Sequence, residues 1–216
     1  LEGQGQDELF AALAGSIRPS GGTIEVDGQA VKFSHPIDAI RAGIAYVPGD
    51  RSEALAMQRS VRENIALPFS AALRNWGPIH MRKERATVAS AIQRLQIDTR
   101  AQGEVQRLSG GNQQKVILGR WLSEQGVRVL IVDEPTRGID VGAKSEIYEL
   151  LYQLAEDGMA IVVVSSDLPE VMGICDRILV MCGGRINAEL ARNQFAEKAI
   201  LAAALPDTKT PDAIAS

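Results

Sequence analysis

At 216 residues and 45% hydrophobic content, the chain is long enough for one substantial domain with a buried core. The 23 Lys and Arg against 27 Asp and Glu leave a net charge of −4, and neither sign forms a block, which argues against nucleic acid or an anionic membrane surface as a partner. The longest apolar runs fall well short of the roughly 18 residues that a membrane-spanning helix requires, so any link to a membrane has to run through a partner.

Leu9, Phe10 and Leu13 recur at helical spacing between Gln4 and Ala14, with Gly15 where a helix would stop. Thr23 to Val26, a turn at Asp27-Gly28 and a return through Val31 to Phe33 predict a β-hairpin. Pro36 to Arg41 reads as a short helix and Ile44 to Val47 as a buried strand. From Asp50 to Arg107 the strand signal gives way to Val61 to Ile65 and to the amphipathic stretch Met81 to Leu95, which predicts a helical subdomain. Strand character returns at Val127 to Val132. A helix over Ala143 to Ala155, a strand Ala160 to Ser165, a helix Pro169 to Cys175, strands at Ile178 to Met181 and Ile186 to Leu190, and a last helix Ala196 to Leu205 follow. Such alternation predicts an α/β fold with a mostly parallel sheet and covering helices. Residues 206–216, rich in Pro, Thr, Asp and Ala without periodicity, read as a frayed tail. Cys175 and Cys182 match no zinc or redox spacing and are expected to be buried free thiols in a reducing cytoplasm. His35, His80, Trp76 and Trp121 are read as structural rather than chemical.

Two segments carry the chemistry. Ser109-Gly110-Gly111-Asn112-Gln113-Gln114-Lys115 precedes an apolar helical run. A serine and two glycines at a helix start leave backbone N–H groups accessible, and the helix dipole favours an anion there, so this helix end suits a phosphate; an ordinary capped helix is the plainer alternative. Downstream, the buried strand Val129 to Val132 ends in Asp133-Glu134-Pro135-Thr136. Strand carboxyl ends face the ligand crevice of an α/β sheet. Because successive strand residues point to opposite sides, Asp133 is expected to serve a Mg²⁺ ion and Glu134 an attacking water.

An LSGG-type signature followed by an apolar strand ending Asp-Glu-Pro-Thr resembles the ATP-binding cassette (ABC) of ABC transporters. With Pro135 to Lys144, the run from Gly110 to Lys115 is similar to the second cassette of tandem ribose, galactose and xylose importers. The resemblance implies a P-loop NTPase (RecA-like) core over residues 1–48 and 127–205, with its first strands lying upstream of residue 1. It implies a helical subdomain over 49–126 that carries the signature. It also implies ATP and Mg²⁺ as cofactors, a second cassette and transmembrane permease subunits as partners, a sugar-binding protein as an indirect one, and a peripheral place on the cytoplasmic face of the membrane. In that family two cassettes sandwich ATP head to tail. Ser109, Gly110, Gly111, Asn112 and Gln113 would then act in trans on the partner's nucleotide, with Asp140 at the D-loop position that crosses the interface. Asp140 also reads as a helix cap, and both roles are compatible.

Several positions depart from the family pattern. Aligned to the phosphate loop, Gly3 and Gly5 match, with Gln4 between them and Glu8 following. Gln6 takes the lysine slot and Asp7 the hydroxyl slot. A neutral amide removes charge neutralisation, and a carboxylate adds repulsion toward phosphate. The switch histidine falls at Ser166. The Q-loop position falls at Pro48, followed by Gly49 where an acid is expected. The chain is therefore expected to begin inside a degenerate phosphate loop and to assist hydrolysis mainly in trans. Two alternatives stand beside this. A soluble cassette ATPase of DNA repair or translation would need a coiled-coil insertion or basic linker, which the stretch between Val47 and Leu108 is too short to hold. A non-catalytic regulatory cassette agrees with Gln6, Asp7 and Ser166 but not with the retained Asp133, Glu134 and signature.

Overall fold

The computed structural model describes residues 3–67, 81–98, 103–123 and 126–205; the expected tail 206–216, together with Trp76 and His80, lies outside them. Helix α1 (Gln6–Leu13) opens the chain and leads into an antiparallel hairpin of β1 (Ile24–Val26) and β2 (Gln29–Val31). Helix α2 (Pro36–Arg41) and strand β3 (Ile44–Val47) follow, then helices α3 (Arg51–Ala54), α4 (Val61–Ala66), α5 (Met81–Arg94) and α6 (Gly110–Ser123). Strand β4 (Val129–Asp133), helix α7 (Val141–Glu156), strand β5 (Ala160–Val164) and helix α8 (Leu168–Ile174) lead to the hairpin of β6 (Arg177–Cys182) and β7 (Arg185–Ala191), and α9 (Glu197–Ala204) comes last.

Strands β3, β4 and β5 pair in parallel in that order, with Val47 beside Val132 and Asp133 beside Val164. The ends of β4 and β5 therefore lie side by side, which is what assembles the site. Parallel pairing stops there. Gly183 and Gly184, at φ +56° and +76°, close the turn between β6 and β7, and a two-residue turn joins antiparallel strands only. The mostly parallel sheet expected from alternation is thus confined to β3–β5 among the described residues.

Alternation along β4 divides the interior in two. Leu130 and Val132, with Ala45 and Val47 of β3, join the core formed with α4, α5, α6 and α7, where Ile65, Ile117, Ile147 and Leu154 are almost wholly enclosed. Ile131 points the other way, onto Phe10, Phe33 and Ala39. Burying each such side chain is worth about 1.5–3 kcal/mol, so the sheet is held from both faces. Asn64 forms a polar hub inside the helical segment. Its Oδ1 accepts the Ala56 N–H at 2.9 Å, its Nδ2 reaches the carbonyls of Ala56 and Ser60, and its backbone carbonyl accepts Arg120 Nε at 3.1 Å. This ties α4 to α6, the helix that opens with the signature.

Both cysteines are free as expected. Cys182 is buried, but Cys175 at the end of α8 is only half-buried, and burial pushes its thiol up. Trp121 packs against the main core. Among the described residues β5 pairs only with β4 and β6 only with β7. Between β5 and β6 lies an apolar cleft of about 700 Å³ with Val162, Leu179 and Ile186 among its walls, and its polar lining includes Gln4, Gln6, Glu134 and Ser166. No helix among the described residues is long and apolar enough to cross a membrane.

Candidate functional site

Strand β4 delivers Asp133 as its last residue, half-buried, with Tyr46 Oη donating to its Oδ2 across 3.4 Å and the Gly49 N–H also donating to the carboxylate. Burial raises the Asp133 carboxyl above its usual range, with the charges of Glu134 and Asp7 pushing the same way. Tyr46 is pushed up to about 12, first by burial and then by the Asp133 charge. Gly49, where an acid was expected, lies against this pair. A Cβ there would stand 3.2 Å from both Asp133 Oδ2 and Glu134 Cβ, so a longer acidic side chain would crowd two carboxylates. Pro48 precedes it, half-buried, at the expected position after β3.

Glu134 does not continue the strand. Its φ is +45°, a left-handed conformation that costs a non-glycine residue on the order of 1–3 kcal/mol and persists only where surroundings enforce it. Two bonds enforce it here: the Glu134 N–H donates to the Val164 carbonyl at 2.7 Å, and its Oε1 accepts the Ser166 N–H at 2.6 Å. The different settings of Asp133 and Glu134 therefore come from a backbone turn, and the strand alternation from which they were expected is corrected. Ser166 meets Glu134 through its main chain, a contact that any residue at that position can make.

Ser109 stands exposed ahead of α6, its Oγ accepting from Asn112 Nδ2 at 3.0 Å, while Asn112 Oδ1 accepts the Asp98 N–H at 2.8 Å. Gly111 and Gln113 turn inward. Gln113 Nε2 donates to the carbonyls of Val105 and Leu108, and a Cβ on Gly111 would meet the Ala143 Cβ at 2.9 Å. The second glycine of the signature thus lets α6 approach α7. Buried Lys115 secures the same pair through Glu146 at 2.7 Å. Asp140 caps α7, its Oδ1 accepting the Ala143 N–H at 3.0 Å.

At the start of the chain, Gly3 and Gly5 have φ of +73° and +97°, conformations open to glycine at little cost. The Gln6 side chain turns back so that its Oε1 accepts the Gln4 N–H at 2.8 Å. Gln4 in turn accepts from Gly183 N–H through Oε1 at 2.9 Å and from Gly184 N–H through its carbonyl at 3.0 Å, which fastens the loop to the β6–β7 turn. Asp7 and Glu8 lie exposed on the first turn of α1. Asp7 bears electrostatically on Asp133, so the two acids add negative charge to one region.

Among the buried acids that the sequence reading did not single out, one sits beside this site. Glu170 on α8 is 5% exposed, and its Oε1 accepts from Thr136 Oγ1 at 2.6 Å and Tyr148 Oη at 2.9 Å. Together with the Lys144 to Asp167 ion pair at 3.2 Å, this staples the Ser165–Asp167 loop to α7 and to the segment after Glu134. Its only sequence signal is a glutamate among the apolar residues of a short helix. Among the described residues no group of three or more His, Cys, Asp or Glu side chains gathers as a metal cage. Asp133 offers oxygen ligands at a spot where a cation would offset its crowded charge. That fits Mg²⁺, which one or two carboxylates hold jointly with substrate phosphates.

A family profile described as ABC transporter matches residues 2–137. The arabinose import ATP-binding protein AraG of Rhizobium etli is 50% identical over 99% of this chain, which spans 43% of that protein's length. The homologue from Ralstonia nicotianae is 47% identical over 98% of the chain, with the same 43% span. Among solved structures, a nucleotide-free ATP-binding cassette from an ABC transporter superposes with a TM-score of 0.79 at 18% identity, covering 96% of this chain and 86% of its own. The likeness in fold agrees with the profile match: the chain belongs to the ABC transporter family and has the fold of an ATP-binding cassette.

Proposed function

We propose that this cassette takes part in ATP hydrolysis that energises import of a simple sugar, arabinose being the sugar named for its relatives, and that it acts mainly by lending its signature to the nucleotide held by a partner cassette. The observation that carries this is the asymmetry within one chain. The phosphate loop is closed on itself through Gln6 Oε1 and the Gln4 N–H, carries no lysine and runs into exposed Asp7, whereas Ser109 lies exposed at the head of a packed helix, followed by half-buried Gly110. In the site so completed, Ser109 and Gly110 would approach the terminal phosphate at a positive helix end. Asp140, from its cap position, would meet the partner. Within this chain's own site Glu134 keeps the geometry of a water-orienting base. Mg²⁺, held by Asp133 when bound, would neutralise phosphate charge. The Asp50 to Arg107 segment would meet the transmembrane permease subunits, placing the protein at the cytoplasmic membrane face, with a sugar-binding protein delivering substrate to the permease.

The test is ATP turnover of the natively assembled protein. Ser109→Arg is expected to reduce it on the order of 100-fold, as loss of oriented phosphate contacts does, while Gln6→Ala leaves it within about twofold. Equal losses from the two substitutions would defeat the asymmetric reading.

A further inference from the structure

Arg51, the first residue of α3, follows the end of β3 by four positions and sends its guanidinium to a point where two other loops meet. Nη1 donates to the Arg137 carbonyl at 2.6 Å. A Cβ on Gly138 would lie 3.3 Å from Nη2, and one on Gly110 would lie 3.4 Å from the same nitrogen. The two glycines are themselves close, since that Gly110 Cβ would stand 3.1 Å from the Gly138 carbonyl oxygen. A Cβ at Gly138 would press on the half-buried guanidinium and one at Gly110 on the Gly138 carbonyl, a reason for glycine at both positions that needs no nucleotide. From Gly138, at φ +64°, the chain runs directly to Asp140. From Gly110 it runs into the signature helix.

A guanidinium is flat, stays charged and presents donors in a fixed fork, so it can brace two surfaces at once where an ammonium would hold one. We infer that Arg51 is a positioning residue that locks the Arg137–Asp140 loop against Ser109-Gly110, so that both reach the partner's nucleotide as one preformed surface. This rests on the role in trans proposed above. Preforming the surface removes the entropy of aligning two loops during the reaction, which shows in turnover rather than in ground-state affinity.

Turnover by the natively assembled protein, measured across ATP concentrations for Arg51→Ala, Arg51→Lys, Asp140→Ala and the double variant Arg51→Ala with Asp140→Ala, tests this. Arg51→Ala is expected to lower kcat on the order of 10- to 100-fold and to shift KM for ATP less than about twofold. Its melting temperature stays near that of the parent. Arg51→Lys recovers part of the loss, and the double variant falls no further than the worse single one, because both act through one surface. An unchanged kcat, a loss that appears in KM, full recovery by lysine, or additive losses would each overturn the assignment. If Arg51→Ala fails to fold, the Arg51→Lys and Asp140→Ala pair decides by the same additivity criterion. Ser109→Arg serves as the control. If it leaves turnover intact, the role in trans itself fails, whereas its loss beside an unaffected Arg51→Ala defeats only the positioning role.

Discussion

Asp133 carries the most crowded charge of the site, and its stability should depend on pH in a direction that the crowding fixes. Its carboxyl is raised by burial first and by Glu134 and Asp7 next. A folded-state pKa above the unfolded one means that the folded protein binds this proton more tightly. The associated stability is then fully present below the unfolded pKa and lost as pH rises through the folded one. Asp133→Asn, which cannot ionise, is therefore expected to melt higher than the parent at neutral pH, with the gain vanishing as pH falls to about 4, the ordinary aspartate range. Thermal melts across that interval check it. A lower melting point at neutral pH would mean that the bonds from Gly49 and Tyr46 outweigh the crowding. The identity of this acid pair is legible in the sequence, because Val129 to Val132 is an unbroken apolar strand and strand ends face the crevice. The setting of Glu134 is not legible. Strand alternation presumes that the chain runs straight through both acids, and nothing local marks a left-handed glutamate held by Val164 and Ser166 from another strand end.

Among the elements, the contact between α6 and α7 decides where the signature sits. Gly111→Ala would set a methyl 2.9 Å from the Ala143 Cβ, closer than packed carbons tolerate. Overpacking of this kind costs roughly 1–3 kcal/mol. Denaturant unfolding of Gly111→Ala should show that loss, and adding Ala143→Gly should restore most of it by clearing the space from the other side. A double variant no more stable than the single one would show that Gly111 is glycine for a reason other than helix packing. Helix and strand positions follow closely from periodicity, since Pro36–Arg41 and Ile44–Val47 are where apolar spacing puts them. Their mutual arrangement does not. The Gly111 to Ala143, Lys115 to Glu146 and Thr136 to Glu170 contacts join residues far apart in the chain, and no single-sequence pattern couples them. The same holds for Arg51, whose hydrogen bond to Arg137 spans 86 positions.

For the molecule as a whole, the question is whether this cassette holds a nucleotide of its own, and the phosphate loop sets the answer. On the reading proposed above, two features would work against binding. The Gln6 amide oxygen holds the Gln4 N–H, a donor that a phosphate oxygen would need, and Asp7 adds negative charge toward Asp133. Gln6→Lys exchanges the first for a cation able to reach the phosphates, and Asp7→Thr exchanges the second for a hydroxyl suited to the metal. The glycines at positive φ in the loop are retained in the variant. Titration calorimetry with Mg-ATP should therefore find binding by the double variant at least about tenfold tighter than by the parent, a difference of about 1.4 kcal/mol. Sodium chloride should weaken the variant's binding more than the parent's, because the gain is a charge attraction. Equal affinities at low salt would mean that the side chains at positions 6 and 7 do not govern binding.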